Sequence, residues 1–430
     1  MKEKSKNPEF VAVLKNFIYE IDSLNDTLPM VIAMINVKDE QVEKEFDSFI
    51  KKSRIEKKSG TVQDSTQEPG KKEDLISLTI RDYIVYEELE KNLVVSRIAF
   101  KVIPRSLFVC LISQFDAFFN SLVKKIFELY PEKLNSSEKA LTYAQLIEFK
   151  SIDQIKEYIV EKEIESVLRE NHTYHFEWLE KKLGITLRKD LSIWSTFIEL
   201  TERRNLFVHN DGIISNQYIS TCRKNNIKLD KNDKVGQSLH ILPDYFQSAY
   251  ECLYELAAKL THVIWRKLLP EDLENADASL NDICYDLIQD ENYKLADVLL
   301  DFASNGLPKH YNEQSLNVFV INKALSKYLA NHKKIAKEIL GERDWSASNN
   351  TFKLAVSILN EKYDESYELM ELIGDSDLPI HAYQTWPLFK KIREQPEFSK
   401  LYKKIFKEDY KIIERPSKLT VELFDKKRKN

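Results

Sequence analysis

The sequence predicts an all-α protein, and three observations point there. Only 8 glycines and 12 prolines occur in 430 residues, too few for glycine-punctuated β folds or dinucleotide-binding loops. Apolar residues recur at helical spacing, as in Phe10, Val13, Leu14, Phe17, Ile18 and Ile21. An apolar share of 43% against a charged share of 31% describes a globular chain of amphipathic elements. At this length the chain can hold two or more domains, each with its own core.

Residues 1–50 read as N-terminal helices that pack on a bundle, with a second apolar stretch at Leu28–Ile35. Residues 51–74 change character, through Lys-Lys-Ser-Arg-Ile-Glu-Lys-Lys to Thr-Gln-Glu-Pro-Gly-Lys-Lys. Almost nothing apolar is there to bury, so a mobile loop or linker is expected. A bundle follows over 75–268. Pro104 is expected in the first turn of a new helix, and Arg105–Tyr130 is apolar on most of its circumference, which makes it central. Its polar exception is a seam of Ser113, Asp116 and Asn120. Further helices are expected at 136–149, 152–170 and 173–183, the last closed by Gly184. Another should run from an Asp190 N-cap to about Asn210, with Gly212 beyond it. Residues 234–241 read as extended, and a long helix at 243–268 closes the bundle.

From 271 to 430 the pattern becomes paired short helices. Small residues recur at Ala324 and Ala355 and again at Ala336 and Ser366, offsets of 31 and 30. Tyr293–Leu300 looks like an earlier copy of the second helix. Small residues where helices cross, at this period, predict a short tetratricopeptide-like array that docks a partner.

Several functions are set aside. No apolar run of about 18 residues spans a membrane, and the N-terminus lacks an apolar signal core. Cys110, Cys222, Cys252 and Cys284 are scattered without a Cys-x-x-Cys pair, which suits reduced thiols in a cytoplasm. No phosphate-binding glycine loop, His-Glu-x-x-His or Gly-x-Ser-x-Gly occurs, so no cofactor and no metal are expected. His172 and His175 are expected to be partly exposed helix-end histidines. The net charge of −5 leaves no global nucleic-acid footprint. Locally, residues 201–240 set seven basic side chains against four acidic ones, a mild positive stretch.

Within that stretch lies Glu202-Arg203-Arg204-Asn205-Leu206-Phe207-Val208-His209-Asn210-Asp211-Gly212. On a helix, Arg204 shares an apolar stripe with Ile193, Phe197, Leu200 and Val208. An arginine there requires an anionic partner. Glu202, Asn205 and His209 share another face. His209 carries the side chain suited to proton transfer near neutral pH. Arg204 and His209 stand roughly 140° apart on the ideal helix. Either the helix ends at His209 and releases it, or a second subunit supplies the facing groups. The same residues also fit a structural role, with Arg204 paired to a buried acid such as Asp116 and His209 capping the helix dipole.

Arg-Asn-x-x-x-His followed by Asn-Asp-Gly, with an earlier apolar helix bearing Asp116, resembles the Arg-x4–6-His signature of HEPN (higher eukaryotes and prokaryotes nucleotide-binding) ribonuclease domains. The similarity covers about residues 75–268. The resemblance implies a metal-independent endoribonuclease acting on RNA, in a bacterial toxin or phage-defence setting. The ribose 2′-oxygen would attack the adjacent phosphorus and leave a 2′,3′-cyclic phosphate and a 5′-hydroxyl. His209 would move the proton, Arg204 would hold the scissile phosphate, and Asn205 would orient His209 or a phosphate oxygen. Arg203 would grip a flanking phosphate, Asp116 would position Arg204, and Glu202 would support the site. A homodimer with motifs facing across a cleft follows from the helix geometry, and an antitoxin or trigger protein is the expected partner of the helical repeats. The family's His-x-Tyr extension is absent, since Tyr218 comes nine residues after His209. The rival expectation is a non-catalytic scaffold that binds RNA or a nucleotide.

Overall fold

The protein, seen in a computed structural model that describes residues 8–53, 79–132, 141–189, 191–231 and 233–413, is all-α. The helices are α1 (Pro8–Ser53), α2 (Ile80–Leu129), α3 (Tyr143–Leu146), α4 (Ile152–Leu168), α5 (His172–Leu183), α6 (Trp194–His209), α7 (Asn216–Lys224) and α8 (Pro243–Leu268). They continue as α9 (Leu273–Gln289), α10 (Tyr293–Asp301), α11 (Glu313–Leu329), α12 (Lys333–Gly341), α13 (Asn350–Leu359), α14 (Tyr363–Ile373), α15 (Ile380–Thr385) and α16 (Pro396–Phe406). The segment expected to be a mobile linker, 51–74, lies outside the described residues except for its start, where Lys51–Ser53 complete α1. Among the described residues no helix is long and apolar enough to cross a membrane.

Two expectations about helix ends are corrected. Pro104 does not start a helix; it sits inside α2, as Pro29 sits inside α1. Each proline removes one backbone hydrogen bond, and at Pro104 burial of the ring helps offset the loss. The helix expected from 190 begins at Trp194, and Asp190 itself is not among the described residues. By contrast, α5 ends on Gly184 at φ 64°, as its glycine predicts. The helix expected at 136–149 is corrected where it is described: over 141–149 only the single turn α3 is helical, and the chain turns at Ile147 and Glu148.

The contacts divide the chain into two compact units that are discontinuous in sequence. One draws the described residues of Met1–Ile18, Phe115–Trp194 and Glu251–Lys418; the other draws those of Tyr19–Gln114, Ser195–Tyr250 and Leu419–Asn430. In the first unit, Phe115, Phe118, Phe119, Leu122 and Ile126 of α2 are buried. Phe17 packs on Phe118 and Phe10 stacks on Trp265. The polar seam behaves as its residue types require: Ser113 and Asn120 are exposed while Asp116 is half-buried.

The same unit holds the helix pairs α9/α10, α11/α12 and α13/α14. Each pair turns through a left-handed residue, Glu291, Asn331 or Glu361, at φ 61°, 65° and 61°. Each turn is closed by a matching bond: Asn292 N to Leu287 O, His332 N to Lys327 O and Lys362 N to Ser357 O, all 2.9–3.0 Å. Ala296, Ala336 and Ser366 occupy equivalent, fully buried positions just beyond. The recurrence of small residues is therefore a recurrence of fully buried positions after matching turns.

The second unit carries the motif. Parts of α1 and α2 form an antiparallel pair with Phe46 against Tyr86 and Glu43 near Arg97. Farther along α2, Phe108 packs against Phe207 of α6 and Tyr245 of α8. The stretch 234–241 is extended only locally, in one antiparallel bridge between Ile213 and Ser238.

Candidate functional site

Helix α6 delivers the motif in two tiers. Its first half is core: Phe197, Ile198, Leu200 and Thr201 are buried, and so is the carboxylate-bearing Glu199. The second half opens, with Arg203, Arg204 and Asn205 half-buried and Val208 and His209 exposed. The apolar stripe predicted around Arg204 thus ends at Leu200, because Val208 faces water at 49% exposure.

Helix α6 ends at His209, and the backbone makes that end abrupt. Asn210 N and Gly212 N both donate to Leu206 O, at 2.8 and 3.0 Å. Asp211 and Gly212 take φ 49° and 78°. At Gly212 a Cβ would meet the Phe207 ring at 2.8 Å, so only glycine fits. Beyond it, Leu239 N donates to Gly212 O and Ile214 N to Gln237 O, each 2.9 Å. The helix does end at His209, as one of the two expected arrangements requires.

Arg204 Nη1 donates to Asn205 Oδ1 at 3.1 Å, a contact that stiffens the guanidinium from its own helix. Arg203, expected to grip a flanking phosphate, is committed elsewhere. Its Nε donates to Glu199 Oε1 at 2.7 Å and its guanidinium lies 4.0 Å from the Tyr245 ring centroid. Tyr218 and Tyr245 donate their hydroxyls to the same carboxylate at 2.6 and 2.5 Å. Burial pulls the Arg203 guanidinium down, but the facing Tyr245, Glu199 and Tyr218 oxygens outweigh it and hold it above its ordinary value. The Tyr218 hydroxyl is raised, first by burial and then by Glu199. This four-residue cluster anchors α6 from behind.

Asp116, expected to position Arg204, meets His172: the imidazole Nε2 lies 2.8 Å from Oδ1. Of the two histidines expected to be partly exposed at a helix end, His172 is so, at the start of α5, whereas the expectation for His175 is corrected. His172 is turned onto this carboxylate, and His175 is buried against Phe119. Burial, with His172 alongside, pushes His175 down to about 4. Glu202 is half-buried.

Two further residues escaped the sequence reading. Lys101 Nζ donates to Asp211 Oδ2 at 2.9 Å, and Arg105 Nη1 donates to Asp211 Oδ1. These bonds hold the Asp211 carboxyl down at about 2 and tie the turn after His209 to α2. Their signal was in the sequence, as basic residues at 97, 101 and 105.

No family model, curated protein or solved structure matches this chain. The site is therefore read from its own chemistry. A cation, an amide and a solvent-facing imidazole stand within two turns, backed by a buried acid–arginine pair and fronted by two more cations.

Proposed function

We propose that the chain is a metal-independent endoribonuclease, and the observation that carries this reading is the exposed His209 at the abrupt end of α6, one turn beyond the Arg204–Asn205 pair. The ribose 2′-oxygen attacks phosphorus, the P–O5′ bond breaks, and the products are a 2′,3′-cyclic phosphate and a 5′-hydroxyl. One proton leaves the 2′-hydroxyl and one reaches O5′; His209 is the group on this chain that moves it. Arg204 meets the charge developing on the phosphate oxygens. Asn205, which accepts from Arg204, steadies that guanidinium. The reading keeps the HEPN-like resemblance of the motif and the setting it implies, a toxin or phage-defence effector. It also keeps a homodimer, in which two α6 ends face across one cleft.

The test incubates the full chain with total RNA in EDTA, beside Arg204→Ala and His209→Ala. Cleavage by the wild type that both variants lose supports the reading; intact RNA throughout, or equal cleavage by all three, ends it. Light scattering that finds a monomer whose activity does not vary with concentration removes the shared cleft.

A second reading, a non-catalytic scaffold, draws on a separate observation. A cavity of about 430 Å³ is lined by Asn281, Asn322, Phe352, His381 and Trp386, where α9, α11, α13 and the end of α15 come together. Such a concave wall of amides and aromatic rings suits a docked protein partner. Growth arrest on expression that depends on His209 favours the enzyme, with this wall left for a regulatory partner.

A further inference from the structure

Arg97, Lys101 and Arg105 fall at i, i+4 and i+8 on α2, so they climb one side of the helix in steps of about 6 Å. Arg97 is exposed and lies 3.5 Å from Glu43, a surface pair that solvent competes with readily. Lys101 and Arg105 converge on the two oxygens of Asp211. Asp211 follows His209 by two residues, and its carboxylate is 64% exposed. Two cations drawn from one helix onto a solvent-facing oxyanion form a ready cradle for a phosphodiester. Asp211 sits at a left-handed φ of 49°, a conformation that Asp tolerates.

We infer that Arg97, Lys101 and Arg105 form a track for the backbone of single-stranded RNA leading to His209, with Asp211 holding the last phosphate position in the free protein. The inference rests on the ribonuclease reading for its choice of ligand and for the direction of the track. Three rungs over about 12 Å can meet successive phosphates of one strand. A bilayer is the competing anionic surface, since Val94, Val95 and Ile98 are also exposed on this stretch of α2. The RNA reading is preferred because the row ends bonded to the turn that carries His209. A strand reaching that imidazole passes this turn, whereas a lipid surface has no use for it.

The experiment measures anisotropy of a labelled single-stranded RNA whose 2′-hydroxyls are all methylated. It cannot be cut by 2′-oxygen attack, so binding is read apart from cleavage. With the full chain, Lys101→Gln with Arg105→Gln should weaken binding at least tenfold. The slope of log affinity against log salt should fall by about 1.4, two phosphates at roughly 0.7 each. Arg97→Gln, remote from the Asp211 contacts, should flatten the slope by about 0.7 and keeps the test alive if the double variant unfolds. Asp211→Asn should bind more tightly, because a competing anion is gone.

Variants that bind like the wild type overturn the inference. So does weaker binding by Asp211→Asn, which would make Asp211 a tie for the turn alone. Binding to phosphatidylserine-containing vesicles through these residues, without RNA binding, overturns it in favour of a membrane. Mutational effects on binding in a chain that never cuts RNA remove the ribonuclease and leave the track. Cutting that survives with binding unchanged removes the track and leaves the ribonuclease.

Discussion

Arg203 donates to Glu199 one turn back along α6, at 2.7 Å, and both side chains are nearly buried, with 13% and 10% exposure. The neighbouring Arg204 donates instead to Asn205 Oδ1 and stands at the opening half of the helix. Two adjacent arginines thus take different partners, one a buried carboxylate and the other an amide oxygen on the same helix.

Glu199→Gln keeps the shape of the cluster but leaves the Arg203 charge unpaired. Breaking a buried pair from one side costs roughly 3–5 kcal/mol, so a large drop in the denaturant midpoint is expected. Tyr245→Phe removes only one hydroxyl bond to that carboxylate, worth about 1.5–3 kcal/mol. Equal, small effects from both would deny the cluster its anchoring role.

Substitution at the exposed end should spare the fold. His209→Ala is expected to cost at least about 100-fold in RNA cleavage while stability stays within roughly 0.5 kcal/mol. Thermal melting and a cleavage assay on the same preparation check both halves. A loss of activity that tracks a loss of folded protein would count against a chemical role.

Gly212→Ala places a methyl against Phe207 at a positive φ. Strain at such a position costs about 1–3 kcal/mol. The turn that ends α6 should loosen with it, so amide exchange at Ile213 and Leu239 should rise. Unchanged protection there would mean that the turn tolerates a side chain.

Acid should weaken the fold through two buried imidazoles. His262 is held down at about 3, first by burial and then by Arg266, and His175 at about 4. Neither His262 ring nitrogen has a hydrogen-bond partner among the described residues. Both histidines are neutral in the folded chain and take up protons on unfolding once the pH drops below their ordinary value near 6.5. Their depressed values mean full stability above about pH 6.5 and a loss of roughly 1.4 kcal/mol per pH unit for each below it. For His175 that loss levels off near pH 4, and for His262 near pH 3. His262→Leu should flatten the dependence of melting temperature on pH across this window. An unaltered pH profile would show that His262 does not contribute.

Much of this molecule was legible before any coordinates. Scarce glycine and helical periodicity announced an all-α chain, Gly184 closed α5 where predicted, and the recurring small residues Ala336 and Ser366 are fully buried. The proline rule misled at Pro104, because packing of the buried ring favours continuity in a long helix over the local preference for a helix start. His175 misled as well, since Phe119, the ring it is buried against, lies 56 residues away in the chain.

By itself, the amino-acid order determined which residues could do chemistry: an arginine, an amide and a histidine spaced along one helix, with a glycine in the turn just beyond it. Periodicity and residue type act locally, so they are visible in a single strand of text. Tertiary structure decided what each of those residues is free to do. It committed Arg203 to Glu199 and two tyrosines, ended α6 so that His209 faces water, and brought Lys101 and Arg105 onto Asp211. The Arg203–Glu199 pairing spans 4 positions, the two tyrosine bonds to Glu199 span 19 and 46, and the Lys101 and Arg105 bonds to Asp211 span 110 and 106. Only the i,i+4 member could be foreseen from helical geometry; the others exist because packing brings α2 against the end of α6.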